Sequence, residues 1–510
     1  MTWCQNIVCK LNGIRVTYSG LISFVVGITS VLTGIVFTLI VTRSLTPEEF
    51  GTWNLIGGLI TYVIIVEPMI SCWVTREIAR GTESGKTAFV SSGLFSICGV
   101  VAYLIISYLL AQHVDADTNV LFFASTLIPV MFLNRTLTAI NAGWKPQSIS
   151  YGTLCFESAK IPAALIFVYF LHTGIYGAII STVVAYVASI VVLVVFARNE
   201  IRTKIKKEFL KKWIRLSWLS IYPGISTVVF HLDVVIFSAI TGSVIGLAFY
   251  SASMTISNVV ANSSLIAQAL YPKLLEGGNK KYLQENLLRF YYFAFPLAAL
   301  AIVFAKPALF ALKPIYDVAV PVVIFMTVRT FLYSLGGIYS QSLLGIEKVD
   351  INEQSKFKDF VKSKIFLVPT VVLVQYISYV LVLTIGLILL KPTGISNIEL
   401  VIYWSIISLA TQVPFTLYFY FLARKHFTLQ LSPSSLLKYL STSIGSFGMI
   451  YFLMSYFLNY KRSIFEFIPN LLTFAGIGIG CYLAITYLVD FRTKELFHAI
   501  IKEIKGKPNS

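Results

Sequence analysis

From Gly174 to Ala197 the chain runs for 24 residues without one charged side chain. Apolar runs of this kind recur along its whole length, near 17–41, 53–75, 87–111, 119–140, 153–171, 174–197, 217–241, 247–270, 290–311, 318–344, 366–390, 400–422, 439–459 and 467–489. A run of roughly 20 apolar residues matches a helix crossing a hydrocarbon core of about 30 Å. Within lipid every backbone polar group must find its partner internally, which leaves helices or closed barrels. These runs are too long for barrel strands and do not alternate. Composition agrees: 57% of the 510 residues are hydrophobic and 12% charged, against about 25% charged in a soluble domain. The expectation is an all-α integral membrane protein with about 14 transmembrane helices. The first run, 17–41, is longer than a signal-peptide core and lacks a small-residue cleavage site, so it reads as a retained helix.

Loop charges set the expected orientation. Alternate loops carry 30 of the 40 Lys/Arg on one side, and the other side carries only Arg43, Lys313, Lys391, Lys461 and Arg462. By the positive-inside rule both termini are expected on the cytoplasmic side of a cell membrane. The net charge of +17 is thereby topological, and nucleic acid is not an expected partner. The segments 198–216 (Ile201, Ile205, Phe209 and Trp213 among eight Lys/Arg) and 497–504 (Phe497, Ile500, Ile501, Ile504) are amphipathic. Helices of that kind lie in the headgroup layer with the apolar face down. The six cysteines form no CxxC pair and the five histidines no metal-ligand spacing. No nucleophile–base pair is recognisable, so a transporter rather than an enzyme is expected, with no cofactor. Gly81–Thr87 resembles a phosphate-binding loop only superficially: Arg80 stands where the motif needs glycine, and no strand precedes it.

An internal repeat is legible. At an offset of 195, Thr46 meets Thr241 and Gly51 meets Gly246; at 194, Arg135-Thr136 meets Arg329-Thr330. Two related six-helix lobes follow, 1–197 and 217–422, joined by the basic amphipathic linker 198–216. Helices 13 and 14 and a basic tail (423–510) stand outside the repeat. Because each repeat has an even number of helices, the lobes share one orientation and are related by an axis along the membrane normal. A cleft between such lobes suits alternating access.

Charges inside a bilayer need a reason. Arg135 and Arg329 occupy equivalent places in the two lobes. A guanidinium grips phosphate oxygens as a rigid fork, so the two either line a cationic cavity for an anionic substrate, or snorkel and pair with carboxylates. Arg76, at the end of helix 2, either anchors that helix at the interface or meets an anionic headgroup at the cavity mouth. Lys160 is a fourth candidate substrate-binding cation, although its i,i+3 partner Glu157 most simply neutralises it. Asp233 in helix 7 is a candidate for ion coupling or for an arginine partner. Glu67, just before Pro68, is a candidate cation site or the cap of a proline kink.

The stretch Thr42-Arg-Ser-Leu-Thr-Pro-Glu-Glu-Phe-Gly51 resembles the signature after helix 1 of polysaccharide flippases. These are the O-antigen-type members of the multidrug/oligosaccharidyl-lipid/polysaccharide exporter superfamily. Asp233, Thr241, Gly246-x-x-x-Tyr250, Tyr271-Pro-Lys-Leu and Lys313-Pro-Ile-Tyr316 are similar to its later landmarks, with departures at Thr46, Phe50 and Lys313. The resemblance implies a two-lobe flippase carrying a lipid-linked oligosaccharide, on a polyprenyl or dolichyl phosphate or diphosphate, from the cytoplasmic to the outer leaflet. It implies coupling to H+ or Na+, contact with membrane lipids, and glycosyltransferases or a polymerase of the same pathway as partners. Arg135 and Arg329 would hold phosphate or acidic sugars, and Asp233 would couple. The alternative is an ion-coupled multidrug or small-molecule exporter of the same superfamily.

Overall fold

The computed structural model describes residues 33–267, 281–347, 361–427, 433–461 and 463–491, together with Val26, Thr29, Ser30, Leu274, Leu429, Thr493 and Lys494. Every regular element among the described residues is helical. In the first part of the chain these are α1 (Thr33–Ser44), α2 (Pro47–Ile64), α3 (Pro68–Ala79), α4 (Gly85–Ala111), α5 (Thr118–Trp144), α6 (Gln147–Phe170), α7 (Gly174–Ile201), α8 (Lys207–Arg215) and α9 (Ser217–Thr241). Then come α10 (Ile245–Ser257), α11 (Lys281–Val303), α12 (Ala305–Leu312), α13 (Val320–Gly345), α14 (Lys364–Leu390), α15 (Asn397–His426), α16 (Pro433–Phe457) and α17 (Ile464–Val489).

Among the described residues ten helices are long and apolar enough to cross a membrane, or eleven if the bent pair α2–α3 is one span. Three of the expected fourteen spans are not among them. The run 17–41 is described only in part, as α1. The run 247–270 continues from α10 into a 3-10 stretch, Asn258–Ala267. Serines dilute α16. The tail 497–504 lies outside the described residues.

By backbone contacts the chain separates into two compact units, Met1–Ala248 and Phe249–Ser510. In the first, α6 and α7 form an antiparallel pair, α5 packs on α7, and α3 packs on α5. Helix α9 packs on α2 and α3. Gly58 of α2 faces Val234 of α9 at this contact. One core of this unit joins Ile70, Val74 and Ile78 of α3 to Leu137 and Ile140 of α5 and Leu193 of α7.

Helix α8 completes that core. Trp213 is fully buried in it, with Phe209 and Leu210 beside it, and Lys212 reaches Glu77 of α3 at 2.9 Å. The apolar face of the linker, expected in the headgroup layer, is therefore largely taken by protein. Only Ile205 and Ile214 of its large aliphatic side chains stay outside, each 51% exposed.

In the second unit α13 pairs with α15, and α11 with α16. There Tyr439 donates to Asp490 at 2.9 Å, tying α16 to the end of α17, and Tyr482 donates to the Tyr292 carbonyl at 2.7 Å, pinning α17 onto α11.

The signature stretch has a definite local role. Thr46 caps α2 through a reciprocal capping box with Glu49. The other oxygen of Glu49 accepts from the Ile175 amide at 3.2 Å, so one carboxylate serves the first turns of both α2 and α7. Gly51 lets the backbone of Val244 come against α2.

A polar cavity between helices of the first unit

Proline lacks the amide that would continue a helix, and at Pro68 the chain bends by 58° between α2 and α3. The break turns Glu67 inward. Its side chain is buried, accepting from Ser71 Oγ at 3.2 Å and from Thr136 Oγ1 at 3.4 Å. The kink expected at this proline is present, and Glu67 lies at its corner.

Beside the break, α3, α5, α6 and α7 line an open cavity of about 800 Å3. Each helix lends it a stripe at helical spacing: Ser71 and Thr75 from α3, Asn134 and Thr138 from α5, Thr153 and Glu157 from α6, Ser189 with Tyr186 from α7. Residues four apart share a helix face, so these hydroxyls and the Asn134 amide gather on the faces that line the cavity. Asn134 donates to Ser189 at 2.9 Å and ties α5 to α7 across the wall.

Two cations line this space. Arg135 is exposed to it and close enough to Glu67 for their charges to act on each other. Arg76, one turn from Cys72, lies over the Trp73 ring at 5.6 Å. Among the described residues neither guanidinium has a carboxylate within ion-pair distance. Glu157 is different. It accepts from Lys160 at 2.6 Å, from Ser30 Oγ at 2.7 Å and from Thr33 Oγ1 at 2.6 Å, which joins α1 to α6. Lys160 stands off the rings of Phe37 and Phe156 at 5.3 and 5.1 Å. Its charge is largely spoken for, as the i,i+3 spacing suggests.

The structure therefore brings Glu67, Arg76 and Arg135 to one cavity and sets Lys160 behind Glu157 in its wall. Asp233 does not line it. That residue is buried in α9, accepts from the Val234 amide at 2.7 Å, and acts electrostatically on Tyr62 of α2. Arg329 belongs to the second unit, 6% exposed within α13, with its guanidinium over Tyr333 at 5.4 Å. Sequence reading missed Asn134, Phe156, Tyr186 and Ser189. They carry no formal charge, and only their helical spacing marks them.

The family model described as polysaccharide biosynthesis protein matches residues 16–277, just over half of the chain. The chain belongs to this family. That stretch contains every helix around the cavity. A putative O-antigen transporter of Shigella flexneri is 29% identical over 269 residues, 48% of this chain and 63% of that protein. The match thus spans less than two thirds of that relative's length. Among solved structures, a lipid II flippase MurJ in an inward closed conformation aligns with TM-score 0.63 and 15% identity, over 93% of this chain and 98% of that one. An inward-facing multidrug resistance MATE family transporter of the MOP superfamily aligns with TM-score 0.55 and 15% identity, over 78% and 95%. The chain is a multi-pass membrane protein with the fold of this superfamily's transporters.

Proposed function

We propose that this protein is a flippase that moves a lipid-linked oligosaccharide from the cytoplasmic to the outer leaflet of the cell membrane by alternating access. The observation that carries the proposal is the polar cavity holding Arg76 and Arg135 without ion-pair partners among the described residues, on the helices that the family model covers. Two guanidiniums inside a membrane-embedded space attract the phosphate or diphosphate that joins a glycan to its polyprenyl or dolichyl carrier. Hydroxyls and amides on four helices suit sugar hydroxyls. A cavity of about 800 Å3 falls within the range of roughly 300–1,000 Å3 that holds a ligand of drug size, so it fits a short oligosaccharide and not a polymer.

Several finer points belong to the same reading. The two related six-helix lobes carry the motion, Arg329 supplies a second phosphate-binding cation, and Glu67 or Asp233 takes up the coupling H+ or Na+. The basic loops and both termini face the cytoplasm, where glycosyltransferases or a polymerase of the pathway deliver the cargo. The multidrug-exporter alternative rests on a fold that flippases share, and the two cavity arginines oppose a cationic drug.

The test is the leaflet on which the cargo sits in cells depleted of the protein. Lipid-linked oligosaccharide is labelled with a membrane-impermeant sugar-modifying reagent in intact cells and in inverted vesicles. Build-up on the cytoplasmic leaflet with loss of surface glycan is expected. Normal distribution, with no redundant transporter present, sinks the proposal.

A further inference from the structure

Two aromatic side chains line the cavity and are only half-buried there. Phe156 of α6 and Tyr186 of α7 both line it, with ring centroids 4.8 Å apart and planes at 53°. Both are partly exposed. Apolar ring surface left facing a polar space is unfavourable by roughly 25 cal/mol per Å2, and a ligand with an apolar face relieves this. The negative face of a ring accepts either a cation or weakly positive C–H groups. Here the cation is disfavoured. Lys160 already stands 5.1 Å from the Phe156 ring, the charge of Arg135 reaches Tyr186 more strongly than that of Glu157, and Glu157 is itself paired with Lys160. What remains suited to the pair is a neutral ring with polarised C–H groups on one face and hydroxyls at its edge. Asn134, Thr153 and Ser189 stand in the same wall to meet such hydroxyls.

We infer that Phe156 and Tyr186 form a carbohydrate-stacking platform, on which a pyranose of the cargo lies while Arg135 and Arg76 hold its phosphate. This rests on the flippase reading and adds to it: the rings are specificity-determining residues for the glycan, separate from the cations that hold the carrier phosphate.

The test uses the purified full chain in lipid nanodiscs with two soluble cargo probes, and with tetraphenylphosphonium as a cationic control. One is a single repeating-unit oligosaccharide released by mild acid from the cell's own surface polysaccharide; the other is inorganic pyrophosphate. Phe156→Leu and Tyr186→Leu are expected to weaken oligosaccharide binding about tenfold or more and to leave pyrophosphate binding within twofold. Arg135→Ala is expected to do the reverse. Tyr186→Phe, which keeps the ring, should retain oligosaccharide binding, and this separates a lost platform from a misfolded protein. Equal oligosaccharide affinity in wild type and both leucine variants overturns the platform. So does pyrophosphate binding by a wild type that ignores the oligosaccharide. In either case the flippase reading still stands or falls on the leaflet assay. Loss of tetraphenylphosphonium binding in the leucine variants, with no oligosaccharide bound by wild type, overturns the platform and reassigns the rings to a cationic ligand.

Discussion

The Lys160 ammonium donates to the Glu157 carboxylate across 2.6 Å, with side chains only 11% and 7% exposed. Breaking a buried pair from one side leaves a desolvated charge behind, at about 3–5 kcal/mol, whereas replacing both partners with well-packed neutral groups is close to neutral. Ser30 and Thr33 also donate to Glu157, so the unpaired charge left by Lys160→Met is partly stabilised and the loss should fall at the lower end. Lys160→Met alone should lower the thermal midpoint of the purified protein clearly. Lys160→Met with Glu157→Gln should recover most of it. Thermal unfolding in detergent checks both, and a double variant no better than the single one would show that the pair is not the source of the loss.

Arg135 and Arg76 stand in the opposite situation. Neither is held by a carboxylate at ion-pair distance among the described residues, so neutralising either should leave the fold intact. A hydrogen bond to a charged group contributes about 1.5–3 kcal/mol. Arg135→Ala is therefore expected to weaken transport roughly 10- to 100-fold, with a normal elution profile and midpoint. Arg135→Lys should recover only part, because a point charge lacks the planar fork. Surface glycan measured at equal expression is the readout, and unchanged export in Arg135→Ala removes this residue from the site.

Much of the fold was legible because its physics is linear along the chain. Charge-free runs such as 174–197 become single helices, and Pro68 bends the chain where a proline must. The cavity was legible only through its charges. Glu67, Arg76 and Arg135 stood out because a charge in an apolar run is conspicuous. Asn134 is one uncharged amide in an apolar run, and Tyr186 one more aromatic among many. What assigns them to the wall is which face of α5 meets α7, a tertiary fact that periodicity does not contain. The linker shows the same limit. Its basic amphipathic pattern suits a lipid surface and a protein surface equally, and the fully buried Trp213 goes to protein.

That burial sets a third prediction. Truncating a fully buried tryptophan costs about 3–5 kcal/mol; the Lys212–Glu77 bridge is half exposed at the lysine but buried at the glutamate, so it is removed from both sides at once, as Lys212→Ala with Glu77→Gln, to avoid stranding a buried carboxylate. Trp213→Ala should detach α8 from α3 and expose the linker to limited proteolysis, whereas the Lys212→Ala, Glu77→Gln double variant should not. Trypsin and chymotrypsin cleavage in 198–216, followed by mass spectrometry, distinguishes them. Equal protection in both variants would mean that something other than Trp213 holds α8 in place.

The fourth prediction turns on two glycines six residues apart in α2. In a helix interior Gly→Ala ordinarily stabilises by about 0.4–1 kcal/mol, because alanine has less backbone freedom to lose. Gly57 meets that condition: a Cβ there would have nothing within 4 Å. At Gly51 the new methyl would collide with the carbonyl of Val244, whose backbone lies directly against α2. Backbone cannot move aside as a flexible side chain can, and the stretch from Thr46 to Gly51 is already fixed by the Thr46–Glu49 capping box and the Glu49 contact to Ile175. The same substitution should therefore have opposite signs at the two positions. Gly57→Ala should hold or raise the thermal midpoint, and Gly51→Ala should lower it and reduce the yield of monodisperse protein. Fluorescence-detected size exclusion across a temperature series reads both. A Gly51→Ala protein as stable as wild type would mean that the close approach of Val244 is dispensable, and that the signature glycine is there for another reason.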